Sequence, residues 1–319
     1  MLNLIQLKID TLIHRLQTGY RNSFCNQNSG YTDLIACIAK IVLENIAKTD
    51  ALYHNIDHTI LVTLVGQEIL RGKQIKEANV SQEDWVHCII AWLCHDIGYV
   101  KGVCQCDKPT KRLYQTGNNK EFISIPISAT DASLTAYHID RGKLFVQQYL
   151  SNCQLIDISV IQRNIEHTRF PVPPGETHKD TVTYPGLVRA ADLIGQLSDP
   201  EYLQKLPALF YEFEETGTNK HLGYKNPGDL RAGFPKFYWN VVHQYIKAAL
   251  PYLEVTPEGR KILESLNTNI CTVESEITSA TTSTDQNLIS KEIKNTAEIP
   301  KIELVNNTIT PLLQPIKTT

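Results

Sequence analysis

The chain of 319 residues is 42% hydrophobic and 20% charged, a length and composition that suffice for a substantial buried core. Its net charge of −3 provides no basic field, so the composition carries no DNA-binding signature and no attraction to an anionic membrane surface. No apolar run is long enough to span a membrane and the N-terminus lacks the pattern of a signal peptide, which together predict a cytoplasmic protein.

Apolar residues at three- and four-residue spacing predict an all-α fold. In chain order, the predicted helices span residues 2–16, 32–48, 53–76, 82–98, 132–150, 156–168, 181–198, 200–216, 234–253 and 257–268. Ser81 and Asp131 suit N-caps of the helices that follow them, because a short polar side chain can accept a hydrogen bond from the first turn. Thr256 followed by Pro257 marks the start of the last predicted helix.

The predicted organisation has an N-terminal part, a larger domain and a tail. The helices of residues 1–52 are expected to pack on the larger domain, which covers residues 53–270. Within it, residues 101–130 lack helical periodicity and carry Pro and Gly, which indicates a long loop with a short strand at 122–127. Loops of this length are typical of lids and binding loops. Residues 271–319 are rich in Ser, Thr and Asn and contain no aromatic residue, which predicts a disordered tail.

Histidine and aspartate residues recur at intervals that place one position, or one pair, on each of five helical segments. The set comprises His58, His95, Asp96, His138, His167 and Asp192. The intervals between them suit a step from one helix to the next, so the side chains could meet in the core of one bundle. A further histidine, His54, lies four residues before the first member, on the same helical face.

Asp192 lies inside the apolar run of residues 187–194. A lone buried carboxylate is very costly, so Asp192 needs a partner. A metal ion is one candidate, and Arg189, one helical turn earlier, is the other.

These residues resemble the ligand set of the HD-domain metal-dependent phosphohydrolase superfamily, over residues 53–192. The segment Tyr-His-Asn-Ile-Asp-His at 53–58 also resembles the Tyr-His-Asn-x-x-His motif of class I cyclic-nucleotide phosphodiesterases. The resemblance implies an HD-type helical bundle in which residues 53–270 are the catalytic domain and 101–130 an active-site loop. The chain differs from those phosphodiesterases because it lacks the glutamine that clamps the purine; the nearest counterpart is Arg231 in an Arg-Ala-Gly-Phe segment.

The resemblance also implies a role for each residue of the set. The implied ligands of a first ion are His58, His95, Asp96 and Asp192. Those of a second ion are Asp96, His138 and His167. Nitrogen and carboxylate ligands together suit one or two divalent cations of Mn, Fe, Zn, Co, Ni or Mg. The implied catalytic residues are His54, as the general acid for the leaving alkoxide, and Asp96, as the bridge between the ions.

The implied activity is hydrolysis of a nucleotide or related small phosphoester, most concretely a phosphodiester, by a metal-bound hydroxide. Arg169, Arg189 and Lys101 are the candidate cations for the phosphate charge of the substrate, the last because its loop directly follows the His-Asp pair. Two alternatives stay open: an HD-fold di-iron oxygenase that uses the same six ligands, and a ligand-binding regulator without turnover. The oligomeric state is not predicted.

Overall fold

The computed structural model describes residues 3–24, 29–118 and 121–292, which are mostly helical and confirm the all-α prediction. The helices are α1 (Leu4–Phe24), α2 (Ser29–Ile46), α3 (Ile56–Glu77), α4 (Gln82–Cys94), α5 (His138–Leu150), α6 (Ile158–Glu166), α7 (Tyr184–Leu197), α8 (Tyr202–Thr216), α9 (Thr218–Leu222), α10 (Pro227–Phe237), α11 (His243–Ile246), α12 (Leu250–Leu253) and α13 (Pro257–Glu292). No described helix is both long and apolar enough to cross a membrane.

Contacts divide the chain into a first unit, Met1–Ser275, and a second, Glu276–Thr319. The described part of the second unit is the C-terminal portion of α13. Within the first unit, α1 and α2 pack on α3 and α4; for example, the Tyr20 hydroxyl donates to Gln82 Oε1 at 2.6 Å. The N-terminal helices therefore share one core with the helices that follow them.

Two of the predicted helix starts are confirmed and one is wrong. The Ser81 side chain accepts from the backbone N–H of Asp84 at 3.0 Å, and that of Thr256 accepts from Gly259 at 2.9 Å. Asp131 does not cap α5, because α5 begins only at His138. Asp131 is instead the first residue of a separate 3₁₀ turn that ends at Leu134. The reason is that the Asp131 carboxylate is engaged elsewhere, with Oδ2 accepting from the hydroxyl of Thr49 at 2.8 Å.

The helix predicted over residues 234–253 is interrupted in the structure. Its first part belongs to α10, which begins earlier because the Asn226 side chain caps Pro227–Phe237 by accepting from the N–H groups of Gly228 and Asp229. A π-helical turn at Tyr238–Val242 then separates α10 from the short helices α11 and α12. The apolar period alone does not show these breaks, because the turn still buries Tyr238 and Val242.

The loop at residues 101–130 contains a small antiparallel hairpin, β1 (Leu113–Gln115) and β2 (Phe122–Ser124), in which Tyr114 pairs with Ile123. The strand predicted at 122–127 is confirmed as the shorter β2. The strand β1 was not predicted, because three residues are too few to show an alternating pattern.

A buried ion pair anchors the loop to α5. Arg141 and Asp107 both have fully buried side chains, with Nη2 3.0 Å from Oδ2. The guanidinium also donates to the carbonyls of Gly98, Val100 and Gln115 at 2.6–2.9 Å. Arg141 thus fixes the segment that follows His95 and Asp96 near its start, at Gly98 and Val100, and again at Gln115.

The predicted start of the disordered tail, at residue 271, lies too early in the chain. Helix α13 continues without interruption to Glu292, so residues 271–292 are helical. Leu266, Ile270 and Val273 are buried at helical spacing, and this apolar face carries the helix past the change in composition at residue 271. Residues 293–319 of the predicted tail lie outside the described residues.

Two glycines let α3, α4 and α7 approach one another closely. A Cβ on Gly195 of α7 would lie 2.8 Å from Val62 Cα on α3, and one on Gly66 of α3 would lie 2.4 Å from the ring of Trp92 on α4. The indole Nε1 of Trp92 donates to the carbonyl of Val188 on α7 at 3.1 Å. The three helices therefore meet with almost no space between them.

Gly195→Ala should lower the free energy of unfolding by about 1–3 kcal/mol, because the added methyl group meets the backbone of Val62 and forces the helices apart. Urea unfolding followed by circular dichroism measures the change. The matched control is Gly233→Ala, where the new methyl group meets only the movable side chain of Tyr224 and the change should stay within about 1 kcal/mol. Equal losses for the two variants would contradict the close contact.

Candidate metal centre

Side chains from three different elements converge on one buried point. His58 comes from α3, His95 follows the last residue of α4, and Asp192 comes from α7. One potential ligand atom of each lies within 4.8 Å of the others. The two Nε2 atoms are 3.4 Å apart, and they lie 3.4 Å and 3.5 Å from Asp192 Oδ1. The structure thus brings together three residues that the sequence predicted as ligands.

Asp96 completes this cluster and carries an unpaired buried oxygen. Its Oδ2 lies 3.3 Å from His58 Nε2 and 3.1 Å from His95 Nε2, yet it makes no hydrogen bond with any described residue. The ring of His95 donates its Nδ1–H to the carbonyl of Trp92 at 2.7 Å, so in the neutral ring Nε2 carries a lone pair. The Nε2 lone pair of a neutral His95 therefore faces carboxylate oxygens, an arrangement that either a proton or a metal ion would relieve.

The pKa values of His58 and His95 also indicate that positive charge at this point would be stabilising. Burial alone would lower the pKa of His58 and of His95, but the neighbouring carboxylates of Asp192 and Asp96 raise both above the ordinary value. Either a proton or a metal ion can supply the charge that the two carboxylates require.

His138 lies on the other side of the Asp96 carboxylate. Its Nε2 is 3.8 Å from Asp96 Oδ1, and its Nδ1–H donates to the carbonyl of Thr135 at 2.6 Å. Burial lowers the pKa of His138 to about 4, so the ring is neutral and its Nε2 lone pair is directed toward Asp96. His138 therefore faces the same carboxylate as His58 and His95, from its other oxygen.

His167 does not join the cluster, which corrects the predicted sixth ligand. Its Nδ1 lies 3.0 Å from the carbonyl of Arg163 and its Nε2 lies 2.9 Å from that of Thr177. Burial lowers the pKa of His167, and a neutral ring can donate to only one of these carbonyls at a time. Among the described residues its other ring contact is with His178, which is also outside the cluster. A second ion would thus have only His138 and Asp96 from the predicted set.

His54 is held by a carboxylate that the sequence analysis did not identify. Glu212 of α8 places Oε2 2.5 Å from His54 Nδ1, and its Oε1 accepts from the backbone N–H groups of Tyr53 and His54 at 2.7 Å and 3.2 Å. Burial opposes the charge on His54, but Glu212 outweighs it and raises the pKa of His54 to about 9. Glu212 is an acid within the apolar run at 209–213, the same signal that marked Asp192.

Tyr99 connects the two sides of the site through its ring. It stacks on His54 with centroids 4.6 Å apart and on His138 with centroids 4.4 Å apart, at interplanar angles of 15° and 18°. The side chain is buried, and the stack restricts the rotation of both imidazoles. Tyr99 was not predicted as a site residue, because nothing in its local sequence distinguishes it from a core tyrosine.

The three predicted substrate-binding cations are engaged elsewhere. Arg169 pairs with Glu166 and Asp140, and Lys101 donates to the carbonyl of Ala129. Arg189 is buried and donates Nε–H to the carbonyl of His167 at 2.8 Å, so the alternative pairing with Asp192 does not occur. The structure therefore gives none of these cations the predicted role at the cluster.

The fold and the cluster define an all-α protein with buried histidine and aspartate side chains converging from three helical segments. Residues 2–276 match the family model described as Npun_R2479-like, and the chain belongs to that family. The matched range includes every residue of the cluster. No curated protein matches the chain.

Glu212→Gln should reduce the dependence of stability on pH between about 6.5 and about 9 in the metal-free protein; the part due to His58 and His95 should remain. The pKa of His54 rises on folding from 6.5 to about 9, so its contribution is fully present below pH 6.5 and is lost as the pH rises through about 9. That contribution is at most about 3 kcal/mol in the wild type. Urea unfolding across this pH range measures it, and the exposed carboxylate variant Glu44→Gln should retain the wild-type slope.

Proposed function

We propose that the protein is a divalent-metal-dependent phosphohydrolase of the HD-domain type, which hydrolyses a phosphodiester of a nucleotide or a similar small molecule. The observation that carries this proposal is the cluster of His58, His95, Asp96 and Asp192, in which a buried carboxylate oxygen faces two imidazole nitrogens without a hydrogen bond. The His54–Glu212 pair beside this cluster adds a proton donor.

The donor set fits a divalent ion of the borderline class. Two imidazole nitrogens and two carboxylates suit Mn, Fe, Zn, Co or Ni, and Mg less well because it prefers oxygen ligands. The bond from His95 Nδ1 to the Trp92 carbonyl is the outer support that metal-binding histidines commonly have. When bound, such an ion would polarise a phosphoryl oxygen and acidify a water molecule. His138 would serve a second ion that shares Asp96.

His54 is suited to protonate the leaving oxygen of an ester. Glu212 occupies Nδ1, which leaves Nε2 without a hydrogen-bond partner among the described residues. The raised pKa keeps the proton on the ring at neutral pH. The His54 ring lies 5.5 Å from the ring of His58, so a group bound at the cluster would be close to the donor.

With a single divalent ion bound, the charge of the site favours a phosphodiester over a phosphomonoester. Asp96, Asp192 and Glu212 carry three negative charges, which the proton of His54 and one divalent ion would balance. Because the predicted cations Arg169 and Lys101 are engaged in other contacts, a monoester dianion would bring more uncompensated charge than a diester monoanion.

Wild-type protein should retain a divalent ion after incubation with Mn and gel filtration, and His95→Ala and Asp192→Asn should lose it. Metal analysis by mass spectrometry, with circular dichroism to confirm folding, measures this. His167→Gln is the matched control: since both ring nitrogens of His167 face backbone carbonyls away from the cluster, the variant should bind as much metal as the wild type. Metal loss in His167→Gln would restore the six-ligand interpretation.

His54→Gln should lower kcat by about 10²–10⁴-fold on a diester with an alkyl leaving group and leave the metal content unchanged. The loss should be much smaller on a bis(p-nitrophenyl) diester, because p-nitrophenolate leaves without a proton. Asp96→Asn should abolish hydrolysis of both esters. The exposed variant Lys179→Gln should behave as the wild type.

Equal losses on the two esters would reject His54 as the acid. Oxygen consumption with two bound irons and no hydrolysis would instead support an oxygenase. Binding of a nucleotide without turnover would support a regulator.

A further inference from the structure

A cavity with a volume of about 660 Å³ lies near the N-terminal ends of α4 and α7, away from the candidate metal centre. Its lining includes Cys88 of α4 and Pro185 of α7. Cys88 precedes His95 by seven residues and Pro185 precedes Asp192 by seven, so each lies about 10 Å along its helix from the metal centre. The cavity is therefore separate from the metal centre, and its volume falls in the range of small-molecule sites.

Two of the buried polar atoms that lack a hydrogen-bond partner among the described residues belong to the lining of this cavity. They are Asn164 Oδ1 and His178 Nε2, although the second of them lies 3.6 Å from Glu166 Oε1. Asn164 is 1% exposed, and its Nδ2 has only the weak acceptor Cys88 Sγ at 3.9 Å. A buried amide oxygen without a donor is costly, and native structures retain such atoms where a ligand or ordered water completes them.

The lining is rich in hydrogen-bond acceptors. The carboxylate of Asp84 accepts from the Ser81 hydroxyl at 2.6 Å, and that of Asp180 accepts from the N–H groups of Val182 and Thr183 at 2.9 Å and 3.0 Å. These donors are neutral, and no salt bridge joins either carboxylate to a cation within the described residues.

The lining offers little positive charge to balance these carboxylates. Burial lowers the pKa of His87 and of His167, so both rings are neutral. The lining cation, Arg163, is exposed to solvent, and the third carboxylate, Glu166, is already paired with Arg169.

The buried guanidinium of Arg189 lies behind the lining of the cavity and donates to the carbonyls of His178 and Asp180, but it forms no salt bridge with either carboxylate in the described residues. Asp84 and Asp180 therefore remain without a paired cation at the cavity.

We propose that this cavity is a second ligand site that binds a small organic cation with N–H donors, of the amine or guanidine class. Asn164 Oδ1 accepts one N–H of the ligand, and the carboxylates of Asp84 and Asp180 balance its charge. Val160 and Tyr184 provide the apolar wall for an alkyl chain. The site depends neither on the metal centre nor on the proposed hydrolysis.

Isothermal titration with 1,4-diaminobutane and with agmatine tests this site, with 1,4-butanediol as the uncharged control. Wild-type protein should bind at least one of the two cations, in the presence and in the absence of EDTA, and should not bind the diol. Asn164→Leu, which keeps the volume and removes the acceptor, should weaken binding at least tenfold. Asp180→Asn should do the same, whereas the exposed variant Glu176→Gln, outside the lining, should bind as the wild type.

Three results would overturn the site. They are the absence of binding by both cations at millimolar concentration, unchanged binding in Asp180→Asn, and loss of binding in His95→Ala, which would place the amine at the metal centre instead. If Asn164→Leu does not fold by circular dichroism, Asp180→Asn decides the question alone. Because His95→Ala is expected to lose metal and retain amine binding, failure of the proposed function leaves this test intact.

Discussion

Trp92 connects the three elements that carry His58, His95 and Asp192, and the arrangement of this cluster depends on it. Its ring packs on Gly66 of α3, its Nε1 donates to the Val188 carbonyl of α7, and its own carbonyl accepts the Nδ1–H of His95. One buried residue thus contacts all three elements and fixes the tautomer of the neutral His95 ring. The apolar packing around it is close enough that a single methyl group on a neighbouring helix has no space.

This packing surrounds groups that oppose folding by themselves. Burying Asp96, and partly burying Asp192, beside two imidazoles costs free energy that positive charge would offset. The buried Asn164 amide oxygen in the lining of the cavity also lacks a hydrogen-bond partner, which costs less free energy than a buried charge because the group is neutral. Elsewhere in the first unit, buried polar groups such as Arg141 and Asp107 are satisfied several times over. The oxygens of Asp96 and Asn164 are thus two places where a bound ligand could supply the missing partner, whereas unpaired buried atoms also occur away from both sites, for example at Gln67 and Asn219.

Much of the fold and part of the site were predictable from the sequence. Long helices with a regular apolar face, such as α3 and α7, were predicted because their periodicity is local. The start of α10 and the continuation of α13 beyond residue 271 were not, since they depend on the Asn226 cap and on burial of Val273. Glu212 and Tyr99 were missed for a related reason. Each has a role at the site because it contacts His54, and His54 is distant from both of them in the chain.

The sequence by itself determined which residue types could bind a metal and that successive helices carry them, because both depend only on composition and spacing. It could not determine which imidazole nitrogens remain free. His95, His138 and His167 each have Nδ1 beside a carbonyl three or four residues earlier, so their local surroundings are alike. Only the tertiary structure distinguishes them, because the carbonyl of Thr177 folds back onto Nε2 of His167, whereas Nε2 of the other two faces Asp96.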